Sequence, residues 1–167
     1  MQLNNTEQSK RVSLASMLIA IAVVGSLFSF PILGSRSAPI QHLINVLAAI
    51  MLGPGYAVGI AFGSSLLRNL LGWGTLLAFP GSMFGALLAG LFFRYSKQVS
   101  LAFIGEVLGT SIFGGLAAYV VAGWMGITDV AFTAYIFPFF LSTIVGSILA
   151  VTLYRALDKR GIVQDIK

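Results

Sequence analysis

The sequence has no cysteine and little charge, with only 9% of its residues Asp, Glu, Lys or Arg. Without cysteine there is no disulfide framework, no thiolate metal site and no thiol nucleophile. Soluble domains carry about 25% charged residues, so this chain cannot cover a soluble surface. It contains 1 histidine and 5 acidic residues. That is too few for an HExxH pattern or a cluster of His and carboxylates around a metal, and it is poor material for a Ser-His-Asp arrangement. No GxxxxGK[ST] loop is present, which excludes nucleotide hydrolysis by that route. These absences argue against an enzyme and leave no catalytic residue, metal or cofactor to assign.

What is present is apolar. Of 167 residues, 57% are hydrophobic and 19 are glycine, and the mean hydropathy is +0.94. The apolar runs approach the roughly 20 residues that a membrane-spanning helix needs. An all-α membrane protein follows, with helices expected over residues 12–33, 39–52, 56–71, 80–95, 99–124 and 130–157. Pro31 and Gly34 punctuate the end of the first run. Pro39 is suited to open the second, because its missing N–H costs nothing in a first turn. Gly53-Pro54-Gly55 makes a tight turn, and Pro138 is expected to kink the last helix. The first run shows no cleavage site and reads as a retained helix. The chain is thus expected to divide into an N-terminal tail (1–11), a transmembrane domain of six helices (12–157) and a charged C-terminal tail (158–167).

Orientation follows from the basic residues. Six spans put both termini on one side, together with Lys10, Arg11, Arg94, Lys97, Arg155, Lys159, Arg160 and Lys167. The other side receives only Arg36 and Arg68. Both termini are therefore expected in the cytoplasm of a multi-pass cell-membrane protein. Positive charge in short turns and tails is what insertion demands, not a groove with stacking aromatics, so nucleic acid is not an expected partner. Gly55/Gly59/Gly63, Gly81/Gly85 and Gly105/Gly109 are GxxxG steps that let helix backbones approach in lipid. Ser16/Ala20 and Ala22/Ser26 repeat that spacing on the first helix, where they fit either internal packing or an exposed face for another membrane subunit.

Polar groups at membrane depth are costly and each needs a reason. By this topology Gln41, His42 and Asn45 lie in the first two turns of the second helix, with Gln41 and Asn45 on one face. Arg68 and Asn69 end the third helix, and Trp73, Thr75 and Phe79 follow. Trp124, Asp129, Thr133 and Tyr135 lie at the same outward end. Rings with a few polar groups suit a pocket for a small aromatic molecule. The plainer alternatives stand beside this: Trp73, Trp124 and Tyr135 also fit an interfacial belt, Arg68 also fits snorkelling to headgroups, and His42 also fits a packed, hydrogen-bonded residue. Glu106 is expected about 10 Å from the cytoplasmic start of the fifth helix, away from the ligand end and from His42.

Three stretches carry a family resemblance. They are Pro39-Ile40-Gln41-His42-Leu43-Ile44-Asn45-Val46, Leu52-Gly53-Pro54-Gly55-Tyr56-Ala57, and the run from Leu66-Leu67-Arg68-Asn69 through Gly72-Trp73-Gly74-Thr75 to Phe79-Pro80-Gly81. On these the chain resembles the substrate-binding (S) subunits of energy-coupling-factor (ECF) transporters, most closely the thiazole-specific ThiW group. The resemblance implies a six-helix S-component bundle that captures hydroxyethylthiazole, a thiamine precursor, from outside. It also implies a transmembrane coupling subunit and two cytosolic ATPases as partners, with ATP driving the subunit to topple and deliver its ligand. Ser16-Met17-Leu18-Ile19-Ala20 is the nearest match to the family's AxxxA docking motif, with Ser16 in place of the first Ala. For a small neutral ring with one hydroxyl, the expected contacts are Gln41, His42, Asn45, Arg68 and Thr75, with Trp73, Phe79, Tyr135 and Phe139 as walls. The loop over residues 72–79 is the expected lid. The competing readings are an S subunit for thiamine, its pyrimidine half or another vitamin, an intramembrane enzyme, and an assembly protein without a ligand.

Overall fold

The structure, a computed structural model, describes residues 5–32 and 35–161. Six helical rods make up nearly all of it. They are α1 (Asn5–Gly25, continued by a 3-10 turn, Ser26–Phe28), α2 (Pro39–Met51), α3 (Pro54–Leu70), α4 (Ala78–Ser96), a fifth rod from α5 (Val99–Leu108) through a π-helical stretch (Gly109–Gly114) into α6 (Gly115–Trp124), and α7 (Ile136–Lys159). A two-stranded antiparallel hairpin, β1 (Phe30–Ile32) with β2 (Ser35–Ser37), links α1 to α2.

The residue distribution is that of a protein solvated by lipid. Met17, Ile21, Val24 and Leu27 on α1, and Phe137, Val145, Ile148 and Leu149 on α7, are exposed large apolar side chains. Gln41, Asn45, Arg68, Glu106 and Thr143 are buried. The first rod, the fifth and the last are long and apolar enough to cross a bilayer, whereas α2 is a shorter apolar helix.

That short helix is the centre of the bundle. Pro39 opens it, and Gly53, at φ 89°, ends the turn that follows. Only a glycine takes such a φ without strain. Ten of the 13 residues of α2 are buried, and it touches α1, α3, α4, α5 and α7. Its Met51 half carries apolar contacts, with Val46, Leu47 and Ile50 packing on Ala102, Ala150 and Tyr154. Its Pro39 half carries polar residues inward. At 1.5 Å per residue α2 is only about 20 Å long, against roughly 30 Å for a hydrocarbon core. Its first turn therefore begins inside the protein, with the hairpin over it.

Glycine sets the closest helix approaches, but not at every GxxxG step. A Cβ on Gly81 or Gly85 would collide with Phe139 or with Glu106 and Thr110, and a Cβ on Gly105 or Gly109 would collide with the α4 backbone. These two steps pack against each other. Gly55 and Gly59, by contrast, have open space where a Cβ would go, and Gly63 meets only the end of Ile19. The α3 repeat is thus not the tight packing face its spacing suggested. Of the small residues on α1, Ala22 and Ser26 are buried whereas Ser16 and Ala20 are exposed.

The helices differ from the sequence expectation at α1, α7, Pro138 and the fifth rod. Helix α1 starts at Asn5 and gives way to the hairpin, because Pro31, with no N–H to donate, sits in an extended strand at the point where a helix to residue 33 was expected. Helix α7 begins at Ile136, not at 130, since residues 132–135 form a turn. Pro138 consequently lies in the first turn of α7, where its missing N–H falls among those that have no helical acceptor. The fifth rod contains a π-helical stretch that apolar periodicity did not indicate. Residues 1–4, 33–34 and 162–167, including the start of the expected N-terminal tail and most of the expected C-terminal one, lie outside the described residues.

Helix α7 is held against α2 by Gly146, where a Cβ would strike the carbonyl of Pro39 and come within 2.8 Å of the His42 Cβ. Gly146→Ala should lower stability by about 1–3 kcal/mol through overpacking. Gly59→Ala, with open space around it, should leave stability unchanged or slightly raised. Thermal unfolding of both variants in detergent checks the pair.

Candidate functional site

The polar half of α2 faces a cavity lined by Arg36, Ala38, Gln41, His42, Arg68, Ala78, Gly81, Ser82, Thr110, Phe139 and Ser142. Its walls come from the hairpin, α2, the end of α3, the start of α4, the π stretch and the first turns of α7. Its volume is about 30 Å³, room for roughly two water molecules.

A chain of hydrogen bonds runs behind this lining. Arg68 Nη1 donates to Gln41 Oε1 at 3.3 Å. Gln41 Nε2 donates to Asn45 Oδ1 at 3.1 Å and to Ser64 Oγ at 2.9 Å. Asn45 Nδ2 donates to the Ser82 carbonyl at 3.1 Å and to Glu106 Oε1 at 3.0 Å. Thr110 Oγ1 donates to the same Glu106 oxygen at 3.1 Å, and His42 Nδ1 lies 2.9 Å from it. The orientation of both amides is set by partners with one possible role: a guanidinium only donates and a backbone carbonyl only accepts. Every dipole in the chain therefore runs from the cation of Arg68 toward the carboxylate of Glu106. His42–Glu106 is the one contact of a carboxylate with a histidine, lysine or arginine side chain among the described residues.

Local structure explains why these groups meet. Gln41 and Asn45 are one helical turn apart on α2. Glu106 and Thr110 are likewise four apart, and Thr110 sits in the π stretch, where the rod departs from α geometry. Gly85 supplies the space: a Cβ there would lie 2.7 Å from Glu106 Oε2. That oxygen and Arg68 Nε are buried without partners among the described residues.

The structure brings Gln41, His42, Arg68 and Phe139 together on the cavity. Asn45 lies fully buried behind it and braces Ser82 and Glu106. Trp73 and Thr75 lie beyond the lining. The Trp73 carbonyl accepts from Arg36 Nη1 at 3.3 Å, and the Thr75 carbonyl accepts from Asn69 Nδ2 at 3.2 Å. Phe79 stands edge-on to Phe62 with centroids 5.7 Å apart, and Tyr135 packs on Phe139 at 6.2 Å. Ser16 and Ala20 lie on the exposed face of α1, away from the cavity.

Sequence reasoning missed Arg36, Ser82, Thr110 and Ser142 in the lining, and it separated Glu106 from His42. The expected separation of these two residues is overturned by their 2.9 Å contact. It assumed that α2 starts at the outer surface. Glu106 is about 10 Å along its rod from Val99, and His42 is about 14 Å along α2 from Met51, so the two reach the same depth once α2 is recognised as short. The i, i+4 pair Glu106/Thr110 was the available signal.

Residues 12–160 match the family model described as thiamine-precursor transporter protein (ThiW). Among solved structures, the chain is similar to a bacterial protein described under "Structure and mechanism of the S component of a bacterial ECF transporter". The two share 25% identity and a TM-score of 0.75 over 91% of this chain and 97% of that one. No curated protein matches this chain.

Gln41→Leu should cost about 3 kcal/mol, because it takes the acceptor of Arg68 Nη1 and the donor to Asn45 Oδ1 away from buried groups. Arg68→Met removes the cation itself, so the double variant should lose less than the sum of the two single losses. Unfolding in detergent across this double-mutant cycle measures the coupling.

Proposed function

The chain belongs to the ThiW family of thiamine-precursor transporter proteins, and from that premise we propose that it is the substrate-binding subunit of an ECF-type importer that captures hydroxyethylthiazole. Membership makes it a multi-pass membrane transporter protein and not an enzyme. The ligand is the finer step, and the cavity lining supports it.

Two guanidinium-bearing residues, Arg36 and Arg68, line the cavity and no carboxylate does. This is the observation that carries the reading. A cationic ligand such as thiamine would meet like charge there, whereas a neutral ring would not. Hydroxyethylthiazole brings one ring nitrogen, which accepts, and one hydroxyl, which donates and accepts. Gln41, His42, Arg68, Ser82, Thr110 and Ser142 offer the matching polar groups. Phe139, backed by Tyr135, offers an apolar wall. In this reading Asn45 holds the wall from behind, and Trp73, Thr75 and Phe79 close over the ligand as parts of the roof.

A cavity of about 30 Å³ is smaller than the ligand, so the roof lifts for entry. The roof consists of the hairpin and the segment between α3 and α4, joined by the Arg36–Trp73 bond. Six spans over residues 12–157 place both termini in the cytoplasm, with the cavity toward the outside. The exposed Ser16/Ala20 face of α1 receives a transmembrane coupling subunit, and two cytosolic ATPases drive release into the cell.

Titration calorimetry of the detergent-purified chain should show saturable binding of hydroxyethylthiazole and none of thiamine. His42→Ala and Arg68→Gln should each weaken binding about tenfold or more, and Trp73→Ala should weaken it by loss of the roof. Unchanged affinity in both His42→Ala and Trp73→Ala would remove the ligand from this cavity. Binding of thiamine alone would discard the thiazole.

A further inference from the structure

Glu106 does not line the cavity, yet its carboxylate grips a residue that does. His42 turns Nδ1 to Glu106 Oε1. Its Nε2 has no protein partner among the described residues, and His42 lines the cavity. Which hydrogen-bonding role Nε2 plays is decided by what Nδ1 does. Oε1 already accepts from Asn45 and Thr110. The Asn45 amide nitrogen can only donate to this oxygen, and Thr110 Oγ1 is placed to do the same, so as a carboxylate oxygen it accepts from Nδ1 too and leaves the imidazole proton there. The relay has one guanidinium at its Arg68 end and one carboxylate at its Glu106 end, so its buried charges balance. The cavity that His42 lines already carries two cations, Arg68 and Arg36.

We infer that Glu106 is a positioning residue that fixes His42 with a bare Nε2 facing the cavity, so that the site selects ligands that bring a hydrogen-bond donor to that nitrogen. With the thiazole reading above, on which this ligand assignment rests, the donor is the hydroxyl of the side chain. The polarity is one-directional. A hydroxyl satisfies Nε2, whereas a methyl ether of the same ligand presents only lone pairs and leaves a buried acceptor facing an acceptor. Sites built around a hydroxyl reject analogues that cannot make its bond far more strongly than apolar pockets reject size differences.

The chain contains 1 histidine, so protein grown with 15N-labelled histidine and purified without a histidine tag gives one imidazole spectrum. The expected result is Nδ1 in the protonated range and Nε2 in the bare range. A protonated Nε2, with Nδ1 bare or both protonated, would overturn the inference whatever the ligand is. Glu106→Gln, which keeps an acceptor oxygen, should retain the wild-type pattern, and Glu106→Leu should shift the proton to Nε2. Should the leucine variant not fold, the wild-type spectrum and a ligand pair still decide. Hydroxyethylthiazole should bind about tenfold or more tightly than its methyl ether. Equal affinities would sink the inference and leave the thiazole reading standing. Binding of neither would sink the thiazole reading, and the ligand-free spectrum would then judge the histidine alone.

Discussion

The relay from Arg68 through Gln41 and Asn45 to Glu106 and His42 is the constraint on which the rest of the structure depends. A guanidinium and a carboxylate inside a membrane bundle are each expensive to bury. They are not in direct contact here; two side-chain amides connect them, each using both N–H donors. The amides turn two isolated charges into the ends of one polarised network, which is stronger in a low dielectric than its bonds taken singly. The network draws on α2, α3, α4 and the fifth rod, so it also fixes how these rods sit relative to one another. The glycines of α4 and α7 follow from it. Gly85 leaves room for the Glu106 carboxylate, and Gly146 lets the α2 turn that carries His42 come against α7.

Helix length is what brings the relay to the right depth. Were α2 long enough to reach the outer surface, His42 would sit there, far from Glu106. Because it is short, its polar first turns lie inside the protein, and the chain covers the remaining height with a hairpin whose strands satisfy each other's backbone groups. Extended backbone at that depth is tolerable only because it is paired and lines a cavity. The π stretch has a matching role on the opposite wall, where it carries Thr110 into the lining and onto the carboxylate. π-bulges of this kind occur often at functional sites.

Much of the fold was legible in the sequence because a bilayer imposes few solutions. Apolar run lengths, the proline opening at Pro39 and the turn at Gly53-Pro54-Gly55 located α2, α3, α4 and the fifth rod to within a few residues. The bounds that failed lie where local chemistry and apolarity disagree. Phe30-Pro31-Ile32 is as apolar as a helix and is a strand, and residues 130–135 are apolar enough for a helix yet stay non-helical, with a turn over 132–135. At the site, Gln41, His42 and Arg68 were legible as polar residues that no span would carry without cause. Glu106 was visible as an anomaly but not as a partner, since depth cannot be counted along one helix without knowing where the next begins. Arg36, Ser82 and Ser142 carried no signal, because an arginine in a loop and serines in a helix are ordinary until the fold sets them around one space.

The division of the site into a fixed floor and a loosely held roof suits capture. The groups that would meet a ligand from below are already oriented by the relay, so binding does not have to order them, and preorganisation of that kind saves the entropy that weakens most small-molecule sites. The roof is different. Its recorded link across the cavity mouth is a single bond from the exposed Arg36 to the Trp73 carbonyl, and an exposed bond of that sort contributes only about 1 kcal/mol. On the proposed function, ligand entry breaks that one exposed link across the mouth and leaves the buried relay of the floor intact.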